Sequence, residues 1–506
     1  MIKVIYLAIA LQIGLMAATA LAITNENQND AMQVESGDVE YNGQEIILTG
    51  SVSVLHSLGK ITANRFSFSP PFGKDKNSKS SLLGMEGLVN IQLQDGGQLR
   101  CQYVQIDYNR LTGTFSGNAI DQDVIYRHEG NGAHHFALEI KSLQASVILT
   151  REQTEAQTRP KILLQQLQGD GNVRLNYDNQ YFVSADQAIY QRLSSSNEAT
   201  VGSLQLKTYL PTTLCKMSNR QGDFIEAPIV DIDTNERMLR LTQPIGQFSF
   251  LQDGNIGNKI VDFSADQLIF DDHSHSLRLQ GNVKLNEKEF FNLKTEHELV
   301  ISAQQNSGKR QLKSIQAPQK IFLSYDADPK KGGENRIYCP GPLFIDHALH
   351  EVFLYGELIN DAELPSKNNQ VRLENAFGEM YADTMHFFYK WQDQNMSVDE
   401  IILEGNVRVF NRFDGHLNEA GSILHYALAD KINFFPTRLE LFLSASGDKR
   451  VLFLDKVNQL RISAPALQVY RDQVSNKEVI HGQGDVRFTF MDRENARFKE
   501  CFKDVD

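Results

Sequence analysis

A short phrase recurs along the chain, and it constrains the fold more than any other feature. Its first half is a small residue, usually followed by Asp or Asn, and then a short apolar strand. Its second half is an apolar-x-apolar pair followed by Gly-Asn-Val or a close variant. The clearest copy runs Ala265-Asp266-Gln267-Leu268-Ile269-Phe270-Asp271, then Leu277-Arg278-Leu279-Gln280-Gly281-Asn282-Val283. A second has Tyr381-Ala382-Asp383, then Leu403-Glu404-Gly405-Asn406-Val407. A third has Gly171-Asn172-Val173 ahead of Ser184-Ala185-Asp186. Weaker copies begin at Cys101, Ala227, Cys339 and Ser463, and Thr49-Gly50-Ser51-Val52 and Met85-Glu86-Gly87-Leu88-Val89 obey the same grammar.

The phrase dictates strands. Val173-Arg174-Leu175, Val283-Lys284-Leu285, Val407-Arg408-Val409 and Val486-Arg487-Phe488 alternate apolar and polar residues, the pattern of a strand with one face on a core and one in water. Helical periodicity is nearly missing. Gly before a Val-x-Val strand supplies a turn or bulge where a side chain would clash, and a neighbouring Asn or Asp accepts local backbone bonds. Each copy is too small to bury its own apolar face, so copies must stack. The expectation is an all-β chain of repeated short antiparallel strands. Polar, Pro- or Gly-bearing stretches interrupt the series: Pro70 to Lys79, Arg151 to Pro160 (a linker or a long hairpin tip), Asp326 to Asn335 and Leu364 to Val371. They suggest units at 31–155, 160–325 and 335–506.

Met1-Ile2-Lys3, an apolar stretch to about Ala18 and the ending Ala20-Leu21-Ala22 read as an export signal over 1–22, cleaved or kept as an anchor. Hydrophobic residues make up 41% and charged residues 22% of the chain, enough to bury a core. A formal charge of −13 argues against nucleic-acid binding, which requires basic patches. Cys101, Cys215, Cys339 and Cys501 show no zinc-ligand spacing; one or two disulfides and four buried thiols are both open.

Ala-Asp-x-x-x-Tyr/Phe-Asp followed by apolar-x-apolar-x-Gly-Asn-Val resembles the strand phrases of the OstA-like family, which includes periplasmic lipopolysaccharide-transport proteins and the N-terminal domain of the outer-membrane lipopolysaccharide assembly protein. Ala265 to Leu285 matches best, then Tyr381 to Val409 and Gly169 to Tyr190. The resemblance implies stacked β-jelly-roll units, open at one seam, with an apolar interior that carries acyl chains. It implies a periplasmic, exported location. The implied partners are lipopolysaccharide or another acylated glycolipid, and other envelope transport proteins met through edge strands. The chain is much longer than a single-unit periplasmic member, so a multi-unit relative fits best.

On this reading the groove is lined by Ile269, Leu277, Leu279, Val283 and Leu285 in one unit and by Phe387, Leu403, Val407 and Val409 in the next. Lys74, Lys76 and Lys79 could meet lipid phosphates or simply form a solvated loop. No cofactor is expected. Asp271-Asp272-His273-Ser274-His275, Asp346-His347 with His350, and His134-His135 carry metal donors, but lie between strands where polar turns belong. Neither a nucleophile elbow nor a phosphate-cradling loop is present, so no catalytic residue is assigned and the chain is not expected to be an enzyme. The alternative is a structural or adhesive β-repeat protein of the cell envelope.

Overall fold

The computed structural model describes residues 21–23, 32–43, 45–68, 82–118, 123–129, 137–152, 161–193, 201–251, 258–287, 291–306, 309–326, 334–357, 367–375, 378–392, 395–411, 425–456, 459–472 and 478–490. Residues 1–20, Lys74, Lys76, Lys79, His134, His135 and Cys501 lie outside them. The protein is all-β: among the described residues the only helical element is a single 3-10 turn at Lys367–Asn369. The chain forms two compact units, 1–242 and 243–506. The stretches at 153–160 and 327–333 are flanked by paired strands, Glu152 with Lys161 and Asp326 with Glu334. Both of these strand pairs lie inside a single unit, and the division between the units falls at 242.

Within each unit the strands form two ladders, and the chain alternates between them. In unit 2 the hairpin Gln267–Asp271 with Ser276–Gln280 belongs to one ladder, and Val283–Glu287 with Phe291–Thr295 to the other. The first of these pairs onward with Glu298–Asn306 and the second with Ile321–Asp326, so each hairpin docks on the next but one. Long strands serve both ladders by bending at a bulge: Ile46–His56 between Thr49 and Val52, Lys161–Tyr177 between Asp170 and Val173, and Asn395–Asn411 between Glu404 and Val407. Those bulges are the Gly-Ser-Val and Gly-Asn-Val segments of the repeated phrase.

The phrase is thus one hairpin between two corners. Gly281 (φ 69°) and Asn282 (φ 47°), like Gly405 (φ 80°) and Asn406 (φ 45°), place two successive residues in the left-handed region, which turns the strand from one ladder into the other. The Ala-Asp half is the neighbouring corner. Asn282 Nδ2 donates to Asp266 Oδ2 (2.9 Å) and Asn406 Nδ2 to Asp383 Oδ2 (2.8 Å). A Cβ at Gly281 or Gly405 would overlap the facing carboxylate. Backbone bonds tie the corners together: Asp266 N to Gly281 O (2.8 Å), Gly281 N to His297 O (2.6 Å) and Asp383 N to Gly405 O (3.0 Å). These bonds make a polar spine of the corners, and the hairpin tips are the opposite ends of the same strands.

The second Asp of the phrase caps a tip. Asp271 Oδ1 accepts from His273 N (2.9 Å), and Asp346 Oδ1 from Ala348 N (2.9 Å) and Leu349 N (3.1 Å). His275 and His350 close these turns with φ of 49° and 57°. Asp107 and Asp233 repeat the arrangement. Asp272, His273, His275, His347 and His350 are turn residues, and among the described residues no three His, Cys, Asp or Glu side chains are placed to hold a metal.

Candidate functional site

The interior of unit 2 is lined by two apolar rows that run across the strands. In one ladder the register aligns Phe263, Leu285, Leu293, Leu323, Ile337, Leu373, Met380, Val409, Ala427, Phe453 and Ile462. In the other it aligns Phe270, Leu277, Ile301, Ile315, Ile345, Val352, Phe387, Ile401, Phe434, Leu441, Val469 and Ile480. Neither row contains a polar residue. Strand alternation puts every second side chain on the same face, so strands with in-phase patterns give each ladder one continuous apolar face.

The expected groove residues divide by position. Leu285 and Val409 fall in the first row, Leu277 and Phe387 in the second. Leu279, Val283, Leu403 and Val407 are buried one step nearer the corners. Ile269 is a correction: it pairs with Arg278 on the outer, half-exposed face, while Leu268 pairs with Leu279 and is fully buried. Leu268-Ile269-Phe270 is a run of three apolar residues, so alternation alone leaves its parity open, and pairing with Leu279 decides it.

The rows reach open space at the tips. A cavity of about 200 Å³ lies between the ladders, lined by Leu373, Met380, Val409 and Phe410 on one side and Phe434, Leu439, Leu441, Val469 and Tyr470 on the other. Its lips are half-buried (Met380, Phe434, Leu441) or exposed (Leu439, 42%). Asn375, Glu379 and Asn411 complete the lining as its polar part, and the apolar walls can solvate a hydrocarbon chain. Elsewhere in unit 2 the tips are bridged: Ile245–Leu251 and Lys309–Ala317 meet in parallel at Leu251 and Gln311.

Unit 1 carries corresponding rows, Leu99, Tyr126, Ile140, Leu175, Val183 and Met217 on one ladder and Val147, Leu167, Tyr190 and Leu204 on the other. Tyr126 and Tyr190 interrupt them. Their rings stack across the interior at 6.4 Å, and burial, followed by the nearby Asp95 carboxylate, pushes the Tyr126 hydroxyl well above its usual range. Beside them Arg192 Nη1 lies 3.9 Å from Asp95 Oδ2, both side chains at most 6% exposed. Nothing in the repeated phrase signals this cluster, whose members sit far apart in sequence.

Cys101, Cys215 and Cys339 are free thiols. Burial pushes Cys101 and Cys339 up to about 12 and, with Asp186 nearby, Cys215 up to about 11. They are inert packing groups.

The fold and interior define a class, an all-β hairpin ladder with corners on one side and an apolar interior. No family model matches the sequence, and no curated protein is significantly similar to it.

Proposed function

We propose that the protein binds the acyl chains of a lipid, of the lipopolysaccharide or acylated-glycolipid class, and passes them on rather than transforming them. One observation carries this reading: two unbroken apolar rows line unit 2 and open at a cavity between the tips at Met380, Phe434 and Leu439. Each methylene taken from water contributes about 0.8 kcal/mol, so ten buried methylenes supply roughly 8 kcal/mol before ordering costs. Rows of near-uniform character give near-equal affinity along their length, which lets a guest move without a deep trap. The repeated corner phrase and its resemblance to the OstA-like family support a setting in the periplasm of a bacterial envelope. Partners would add strands at the end of unit 2. There Glu478–Gln483 and Arg487–Phe490 each have a single paired neighbour among the described residues.

The test is direct. The full chain is purified from its native envelope, and bound acylated glycolipid is sought by mass spectrometry. Uptake of a fluorescent C16 fatty acid is then compared between the wild type and Met380→Trp/Leu441→Trp, which fills the mouth. We expect co-purifying lipid and at least a tenfold loss of uptake in the filled variant. A lipid-free protein that takes up no probe would sink the proposal and leave a structural β-repeat role.

A further inference from the structure

We infer that unit 1 is closed by an ionic latch, Asp95–Arg192, that sets whether its interior is accessible. This rests on the acyl-binding reading for what would enter, but the latch itself is argued from geometry alone.

Asp95 lies in the turn joining Leu82–Leu93 to Gln98–Asp107, at the tip of one ladder, where Arg100 pairs with Ile125. Arg192 ends Tyr181–Arg192, at the tip of the other ladder, where it pairs with Gly202. The pair therefore joins the tips of the two ladders. It is deeply buried, with side chains 6% and 5% exposed, and the Asp95 main-chain carbonyl accepts from His128 Nε2 at 2.9 Å. Gln165 Nε2 donates to the Arg192 carbonyl at 3.3 Å. Tyr126 and Tyr190 stack directly behind it. Among the described residues the Tyr126 hydroxyl and His128 Nδ1 have no hydrogen-bond partner, although Tyr126 is 1% and His128 3% exposed.

Charges drawn out of water hold together only while both are present, and unsatisfied polar atoms beside them are costly. Apolar contacts would join the same tips without that cost. The cluster is thus a closure that loses its stability when one partner is lost, the behaviour of a latch rather than of a filled core. Unit 2 carries apolar side chains at the lips of its own mouth, Met380, Phe434, Leu439 and Leu441.

Amide hydrogen exchange on the full chain tests this. In Asp95→Asn we expect exchange at Val124–His128 and Ala188–Arg192 to rise at least about tenfold while Gly378–Asn411 stays unchanged. In Asp95→Leu/Arg192→Met it should return to within about threefold of wild type, because both charges are gone. Should Asp95→Asn unfold, Arg192→Lys, which keeps charge and loses the planar fork, should give a smaller local rise. No local rise in either single variant, or a double variant as open as the single, overturns the latch. A photoactivatable C16 fatty acid separates the two readings. Wild type should be labelled only around Met380 and Phe434, and the opened variant also at Tyr126 and Tyr190. No labelling in either protein defeats acyl binding while leaving the exchange result to judge the latch. Labelling confined to Met380 and Phe434 in an opened variant overturns its gating role.

Discussion

Unit 1 and unit 2 share one construction, corners that turn strands between two ladders and tips at the opposite ends of the same strands. Their interiors differ in what stands at the tips. In unit 2 Met380, Phe434 and Leu441 leave a cavity between the ladders. In unit 1 the same zone holds Tyr126, Tyr190, Asp95 and Arg192, and a second lacing joins Ser57 Oγ to Tyr108 Oη (3.1 Å) and Ile162 N to Ser57 O (3.3 Å). A repeated backbone therefore does not fix accessibility. The few residues at the tips do, because the rows behind them are apolar in both units apart from Tyr126 and Tyr190.

Arg192→Met attacks that difference most severely. It strands the Asp95 carboxylate in a site 6% exposed, and removing one partner of a buried pair costs about 3–5 kcal/mol. Urea unfolding of the full chain should register the loss in a transition assigned to unit 1. The buried thiols say which unit opened. In the native protein at pH 8, thiols raised to about 11 or 12 are overwhelmingly protonated and resist alkylation. In the variant Cys101 and Cys215 should alkylate at lower urea than Cys339. Equal labelling of all three would mean that the two units do not respond separately. The sign of the pH effect also follows. Raised folded values favour the neutral thiol, so this contribution is intact below about pH 8.5, the usual thiol value, and is lost as pH climbs toward 12.

The corners differ between units by a smaller amount. Gly405 at φ 80° faces the Asp383 carboxylate, whereas a Cβ at Gly171 (φ 78°) would meet the end of the Leu143 side chain at 3.0 Å, and that side chain can move. Alanine at either site enters the left-handed region at about 1–2 kcal/mol. Gly405→Ala should cost roughly 1 kcal/mol more than Gly171→Ala, because Asp383 must leave its bonds to Asn406 and Gln370. In an Asp383→Ala background, itself about 1 kcal/mol less stable, that excess should vanish. If thermal denaturation shows the two glycines to be equivalent, the Ala-Asp half of the phrase is not the lock on the Gly-Asn corner.

Much of this grammar can be read from the sequence, and the reasons are local. Val407-Arg408-Val409 and Leu277-Arg278-Leu279 alternate cleanly, so their buried faces follow from period two. Gly-Asn and Asp mark corners and tips because backbone conformation at those points admits few residues. Ile269 fails where three apolar residues run together and only a partner strand sets parity. The latch is illegible for a different reason. Asp95 and Arg192 look like ordinary turn and strand-end residues, and only the stacking of two ladders makes them neighbours. The division at 242 is not legible either, since Pro244 and Gly246 beside it look like any of the other Pro- and Gly-bearing turns along the chain.

The smallest expected change in stability lies at the lip of the unit 2 mouth. Leu439 closes the hairpin turn from Phe435 with φ 50°, a conformation that disfavours a branched side chain, and it remains 42% exposed. The same turn position in unit 1 carries Arg237 at φ 54° and Leu111 at φ 55°. Glycine would relieve left-handed strain of about 1–2 kcal/mol and give back roughly 0.5–1 kcal/mol as unfolded-state entropy. Leu439→Gly should therefore be neutral to about 1 kcal/mol more stable. It should also release a bound C16 probe severalfold faster, since one wall of the cavity is gone. A stabilised variant with faster release would show that the strained leucine is kept for the guest. A variant equally stable and equally retentive would assign Leu439 to the turn alone, and would remove the lip from the contrast with the latched tips of unit 1.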